Sequence, residues 1–141
     1  MKARVKWIED SNFVAQSGSG HALALGASQG AEHPALGAGP MELVLIGLGG
    51  CSAIDVLHIL EKGRETVSDC VVELEAERAA TEPKVFTHIH MHVTVTGSGL
   101  SPAKVERAVV LSAEKYCSVS AMLDKTAKIT HDLEIVDQPG P

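Results

Sequence analysis

P-M-E-L-V-L-I-G-L-G-G-C-S-A-I-D-V-L-H-I-L, residues 40 to 60, reads as one helix with a cysteine, Cys51, near its middle. Pro40 suits a first helical position, because its ring presets a helical φ and its missing N–H has no intrahelical partner there. Glu42 falls in the first turn, where a carboxylate meets the positive end of the helix dipole, and Gly63 supplies the expected stop. Apolar residues occur on every face: Leu43, Gly47, Cys51, Ile54 and His58 line one side, while Val44, Leu48, Leu57 and Leu60 fill others. Such a helix belongs inside a protein or a membrane. Its uncharged run from Leu43 to Ile54 falls short of the roughly 18 residues of a spanning segment, so a buried core helix is expected. Gly47, Gly49 and Gly50 each cost about 1 kcal/mol against alanine in a helix interior. They point to close approach of another backbone, from a second element or a second subunit. The alternative is a helix broken at Gly49-Gly50, with Cys51 opening a second one.

A chain of 141 residues is expected to form a single domain, residues 1–141, with a real core. Net charge −6 argues against nucleic acid or an anionic membrane as partner. The aromatic content of 3% offers little for base stacking. The opening M-K-A-R-V-K-W-I-E-D lacks a charged-then-apolar signal. Three cysteines are an odd number for a secreted disulfide framework, so the cytoplasm is the expected location.

Working outward from the helix, residues 3 to 26 read as an antiparallel meander. Its strands lie near Arg4–Ile8, Phe13–Gln16 and His21–Leu25, with turns at Asp10-Ser11-Asn12 and Ser17-Gly18-Ser19-Gly20. Residues 26 to 39, rich in glycine, form a long loop of the kind that shapes sites. After Gly63, Cys70, Val72, Leu74 and Ala76 alternate with Asp69, Glu73, Glu75 and Glu77 as a strand with one wet side. Thr81-Glu82-Pro83-Lys84 turns the chain into Val85–Thr96, where Val85, Ile89, Met91, Val93 and Val95 should face inward and Phe86, His88, His90 and His92 outward. Ser101 and Pro102 start a second helix, whose face is Val105, Ala108, Val109 and Ser112, with Leu111 beside it, ending near Tyr116. A helical turn from Ser118 to Leu123 and a last strand alternating at Ala127, Ile129, His131, Leu133 and Ile135 follow, and the tail from Asp137 to Pro141 is expected to be loose. The class is α+β; parallel βαβ logic does not fit, since helices and strands do not alternate regularly.

Two constellations carry chemistry. Cys70, on an apolar strand face, reads as structural and inert. Cys117 sits where one helix ends and another turn begins, a place that favours a thiolate, while Gly50 and Ser52 leave the Cys51 sulfur little covered. An attacking thiolate with a second thiol able to condense with its sulfenic acid makes a redox pair, though spacing alone does not bring the two together. His88, His90 and His92 alternate along one strand face and could converge on a metal or simply line a wet surface; no metal and no cofactor are expected.

The runs G-P-M-E-L-V-L-I-G-L-G-G-C-S-A-I-D-V, P-K-V-F-T-H-I-H-M-H-V-T-V-T-G and A-E-K-Y-C-S-V-S-A-M-L resemble the osmotically inducible protein C and organic hydroperoxide resistance family (OsmC/Ohr), over nearly the whole chain and closest to its OsmC-like branch. The resemblance implies an OsmC-like fold: an N-terminal meander, a buried central helix bearing the cysteine, a second antiparallel sheet with a second helix, and an intertwined homodimer with sites at the subunit interface. It implies a thiol-dependent peroxidase for organic hydroperoxides, and for hydrogen peroxide as a further substrate. Cys51 would attack the peroxide, Cys117 would resolve the sulfenic acid as a disulfide, and a dithiol or lipoyl-type reductant would regenerate both. The sequence departs from the family pattern twice. The meander turn Ser17–His21 lacks the family's arginine, leaving Arg4, Arg64, Arg78 or Arg107 to substitute. Glu42 stands one residue beyond the family's glutamate, held here by Met41, and so reads either as the catalytic carboxylate or as a solvated first-turn acid. Asp55, one turn beyond Cys51, is expected to pair with a cation, because a bare carboxylate would raise the thiol pKa. The missing arginine also admits a non-catalytic dimeric protein that binds a small apolar ligand in the same pocket.

Overall fold

The structure, a computed structural model that describes residues 1–138, builds its first sheet from short local pairings. Strands β1 (Ala3–Glu9), β2 (Asn12–Ser17) and β3 (Ala22–Gly26) form an antiparallel meander in chain order. The β1–β2 turn is tight because Asp10 adopts φ 46°, a left-handed conformation that aspartate tolerates, and its carbonyl accepts the Trp7 indole N–H at 2.9 Å. The meander leaves Val5, Trp7 and Leu23 exposed.

Helix α1 runs unbroken from Pro40 to Lys62, through Gly49 and Gly50. Its start is closed by the Glu42 carboxylate, which reaches back to accept the Gly39 N–H at 2.7 Å, the reciprocal half of a capping box. Its end departs from expectation. Gly63 still donates to the Ile59 carbonyl, and the left-handed residue is Arg64, at φ 60°, with the Glu65 N–H returning to the Leu60 carbonyl. The turn geometry demands one such residue just past the helix, and here a non-glycine takes it.

The expectation of a helix buried all round is also corrected. Leu48, Ser52, Val56 and Leu60, one stripe at spacings of four, are buried together with Gly49. Ile46 and Ile54 are 60% and 69% exposed, because only one side of the helix meets other elements of this chain. Length and hydropathy alone would let α1 cross a bilayer, yet its buried stripe is part of a protein core. Within this chain the glycines meet no backbone: a Cβ on Gly49 would lie 2.7 Å from the Leu74 side chain, and Gly47 and Gly50 face open space on the side left to a second subunit.

The second sheet has the order β4-β5-β6, from β4 (Thr66–Arg78), β5 (Phe86–Ser98) and β6 (Lys128–Asp137). β4 and β5 form the expected antiparallel hairpin, but the pairing shifts between Glu77 and Arg78, so Arg78 faces Phe86 while Glu77 faces His88. The extra residue, Thr87, reverses the side-chain phase. Phe86 is therefore buried and Val85 exposed, the opposite of the plain alternation. β6 runs parallel to β5, so the sheet is mixed, and the expectations of an antiparallel sheet and of no parallel crossover are both corrected. The crossover consists of α2 (Pro102–Leu111), a π-helical turn (Ser112–Tyr116) and α3 (Ser118–Leu123). Ser101 occupies the N-cap position of α2 without a side-chain capping bond; its N–H goes instead to Glu65 Oε2 at 2.7 Å.

Val56 and Leu60 of α1, Val93 and Val95 of β5, and Val105, Ala108 and Val109 of α2 make the core. The chain divides into two compact units, one of Met1–Ile46 and one from Gly47 onward. Asp137 is the last residue of β6, and Gln138 donates to the Gly97 carbonyl at 2.9 Å. The remainder of the tail expected to be loose lies outside the described residues.

Candidate active site

The buried stripe of α1 is apolar except at Ser52, and the buried face of α2 is apolar until Ser112. Those two serines mark where the helices meet the second thiol. Ser52 Oγ donates to Cys117 Sγ at 3.7 Å and lies 3.6 Å from Met91 Sδ of β5. Ser112 Oγ reaches the Ser52 carbonyl and Asp55 Oδ2, each at 3.4 Å. The Cys117 N–H returns to the Ser112 carbonyl at 2.9 Å, a bond across five residues that the π-helical turn makes possible. Ser112 thereby ties α1 to the residue that carries the second sulfur.

Cys117 is the N-cap of α3, and its sulfur accepts the Ser120 N–H at 3.4 Å. Sγ of Cys51, Sγ of Cys117 and a carboxylate oxygen of Asp55 all lie within 4.8 Å of one another. The fold thus brings together the two cysteines singled out in the sequence. It also sets beside them Asp55, which the sequence marked as a charge in need of a partner, and adds Ser52 and Ser112. The signal that could have found the serines was their place as polar members of otherwise apolar stripes.

Cys117 is buried at 2% exposure, whereas Cys51 is half-buried. Burial pushes the Cys51 thiol up, and the neighbouring Cys117 adds to this by hydrogen bond and by charge; the N–H groups of Val119 and Ser118 oppose both without reversing them. Burial also acts to raise Cys117, but hydrogen bonds from Cys51, from the Ser120 backbone N–H and from Ser52 outweigh it and hold this thiol below its ordinary value. The hydrogen bond between the two sulfurs thus pushes them in opposite directions, Cys51 up and Cys117 down. Cys117 fits the thiolate-favouring position read from the sequence, and Cys51 is the more reachable sulfur. Ser120 Oγ is buried beside them without a hydrogen-bond partner among the described residues. A cavity of about 360 Å³ lies on the Cys117 side, lined by Ser120, His131, Lys115 and Asp124 among others.

The expected cation is not at the sulfurs. Among the described residues no ion pair involves an arginine or Asp55. Asp55 has the Ser112 hydroxyl as partner in place of a cation, and Arg78 is engaged with the Lys84 carbonyl. Glu42 is exposed, and its Oε2 is occupied in closing α1. Cys70 is half-buried against the core, its thiol pushed up by burial and by the charge of Asp69.

The three histidines do share one face of β5, but each is engaged with β6. His88 Nε2 and His90 Nδ1 bond Thr130 Oγ1 at 3.0 and 2.8 Å. His92 Nδ1 bonds Asp132 Oδ1 at 2.6 Å. Among the described residues, the set of three candidate ligand groups that converges is Cys51, Asp55 and Cys117, not the histidines.

Residues 31–132 match the family described as OsmC-like protein. Protein YhfA of Escherichia coli strain K12 is 52% identical over 136 residues, covering 96% of this chain and 98% of that protein. The crystal structure of a hypothetical protein from Aquifex aeolicus VF5 is similar at 30% identity and TM-score 0.79, covering 95% of this chain and 96% of the other. The organic hydroperoxide resistance protein OhrB of Bacillus subtilis shares the fold at TM-score 0.65 and 18% identity, covering 95% of this chain and 98% of its own. With a match that runs from ahead of the cysteine helix through β4 and β5 into β6, the chain belongs to the OsmC-like protein family.

Proposed function

We propose that the protein is a thiol-dependent peroxidase that reduces organic hydroperoxides, and hydrogen peroxide as a further substrate, through Cys51 and Cys117. One observation carries this: two sulfurs far apart in sequence lie within 4.8 Å of each other, close enough for side-chain rotation to form a disulfide of about 2 Å. Cys51 is the attacking sulfur because it is the reachable one. As peroxide approaches, its proton passes to the Cys117 thiolate. The Cys51 thiolate then attacks the terminal peroxide oxygen, the O–O bond breaks, and the alkoxide takes the proton held by Cys117 and leaves as alcohol, which restores the Cys117 thiolate. Cys51 is now a sulfenic acid. Cys117 attacks its sulfur, a disulfide forms, and hydroxide leaves as water. A dithiol or lipoyl-type reductant restores both thiols by exchange, and a reducing cytoplasm would keep them ready.

Glu42 is the third catalytic residue of the proposal, although it stands one residue beyond the family's glutamate and its carboxylate closes the start of α1. The proposal takes the chain as one OsmC-like domain, since the family match crosses from the first compact unit into the second. It also takes the working form as a homodimer. Exposed Val5, Trp7 and Leu23 in one unit, and Ile54 and Leu57 in the other, are the apolar surface a second subunit would cover.

The test is consumption of an organic hydroperoxide with a dithiol reductant. Cys51→Ser should fall to background. Cys117→Ser should react once and then turn over slowly, and Glu42→Gln should be slower than the parent. Equal rates in the parent, Cys51→Ser and Cys117→Ser overturn the peroxidase, and leave the non-catalytic ligand-binding dimer as the alternative. A monomer in sedimentation removes the second subunit.

A further inference from the structure

Asp55 is a half-buried carboxylate whose partner is one serine hydroxyl at 3.4 Å, with no cation paired to it among the described residues. It stands within 4.8 Å of two sulfurs. A carboxylate beside a thiolate is an arrangement of like charges, unfavourable unless a cation joins them. Two soft sulfur ligands and one carboxylate oxygen, converging from α1 and from the N-cap of α3, match the donor set preferred by a thiophilic divalent cation.

We infer that the reduced protein binds one Zn²⁺ ion between Cys51, Asp55 and Cys117, with the fourth position left to water. Zn–S distances of about 2.3 Å on a tetrahedron put neighbouring ligand atoms somewhat under 4 Å apart. Small side-chain rotations from the present separations reach that. The surroundings are suited to hold such ligands in place: Ser112 Oγ reaches the Asp55 carboxylate and Ser52 Oγ reaches Cys117 Sγ, the kind of outer hydrogen bonds that orient metal ligands. Binding forms two Zn–S bonds and sends the displaced thiol protons to solvent. Metal and peroxide would then compete for the same sulfurs, since a disulfide offers no thiolate pair.

Binding is read without peroxide, so it stands or falls apart from the peroxidase. Reduced protein is titrated with Zn²⁺ against a chromophoric chelator, and with Co²⁺ to record thiolate-to-metal charge transfer. The expected result is one metal per chain with a thiolate band. That binding should vanish in Cys51→Ser and in parent protein alkylated with iodoacetamide, and weaken about tenfold or more in Asp55→Asn. The alkylated parent keeps the test valid if a variant folds poorly. Three results overturn the site: no stoichiometric metal, binding unchanged in Cys51→Ser, or binding lost when His88, His90 and His92 are changed to Gln but kept without the cysteines.

Discussion

Cys51 and Cys117 act on each other in opposite senses, and this fixes what each does alone. Cys117 raises the Cys51 thiol by hydrogen bond and charge, after burial itself. Removing it in Cys117→Ser should let Cys51 titrate lower than in the parent, because the Val119 and Ser118 N–H groups still face its sulfur. In Cys51→Ser the Cys117 thiol loses its largest favourable partner and should titrate higher than in the parent. Rates of alkylation against pH on the two single variants check both directions; shifts of the same sign would contradict the shared-proton picture. The pairing of these thiols was only half legible. The cysteines stood out by their settings, but their meeting depends on a π-helical turn, and nothing in Ser112-Ala113-Glu114-Lys115-Tyr116 announces a bond across five residues. The involvement of Asp55 was seen as a charge in need of a partner, and the partner was expected to be a cation.

Among the elements, β5 shows why alternation is a good guide to a strand and a poor one to its ends. Ile89, Met91, Val93 and Val95 fall inward as the pattern demands, but one bulged residue, Thr87, exchanges the places of Val85 and Phe86. Strand direction was hidden for a different reason. β6 alternates equally well in either sense, and only the α2–α3 crossover that carries the chain back makes it parallel. That register sets Asp132 opposite His92, and their hydrogen bond raises the histidine above 6.5 and lowers the aspartate below 3.8. A raised histidine adds stability that is fully present below pH 6.5 and lost as pH climbs through its folded value. A lowered aspartate adds stability present above pH 3.8 and lost on acidification. The pair therefore favours the fold between those limits. Denaturant midpoints measured from pH 4 to 8 should decline at the upper end in the parent, and Asp132→Asn should flatten that decline. An unchanged pH profile in the variant would assign the effect elsewhere.

For the whole molecule, the α+β class and the order of elements follow from hydrophobic period and turn residues, so they could be read directly. The degree to which α1 is covered could not be, because an all-apolar helix does not say whether its neighbours belong to its own chain. A last consequence lies in how far the chain travels between residues 51 and 117 before its sulfurs come within 4.8 Å. A bond there would cross-link the polymer across nearly half its contour, excluding most extended conformations of the unfolded ensemble. For a loop of this size the chain-entropy estimate is about 4 kcal/mol. The oxidised protein should therefore melt several degrees higher than the reduced one by calorimetry with and without a dithiol, and identical melting would mean that no such cross-link forms. By the same linkage the fold, which holds the two thiols together, should make the disulfide harder to reduce in the folded protein than in the unfolded chain by that same margin.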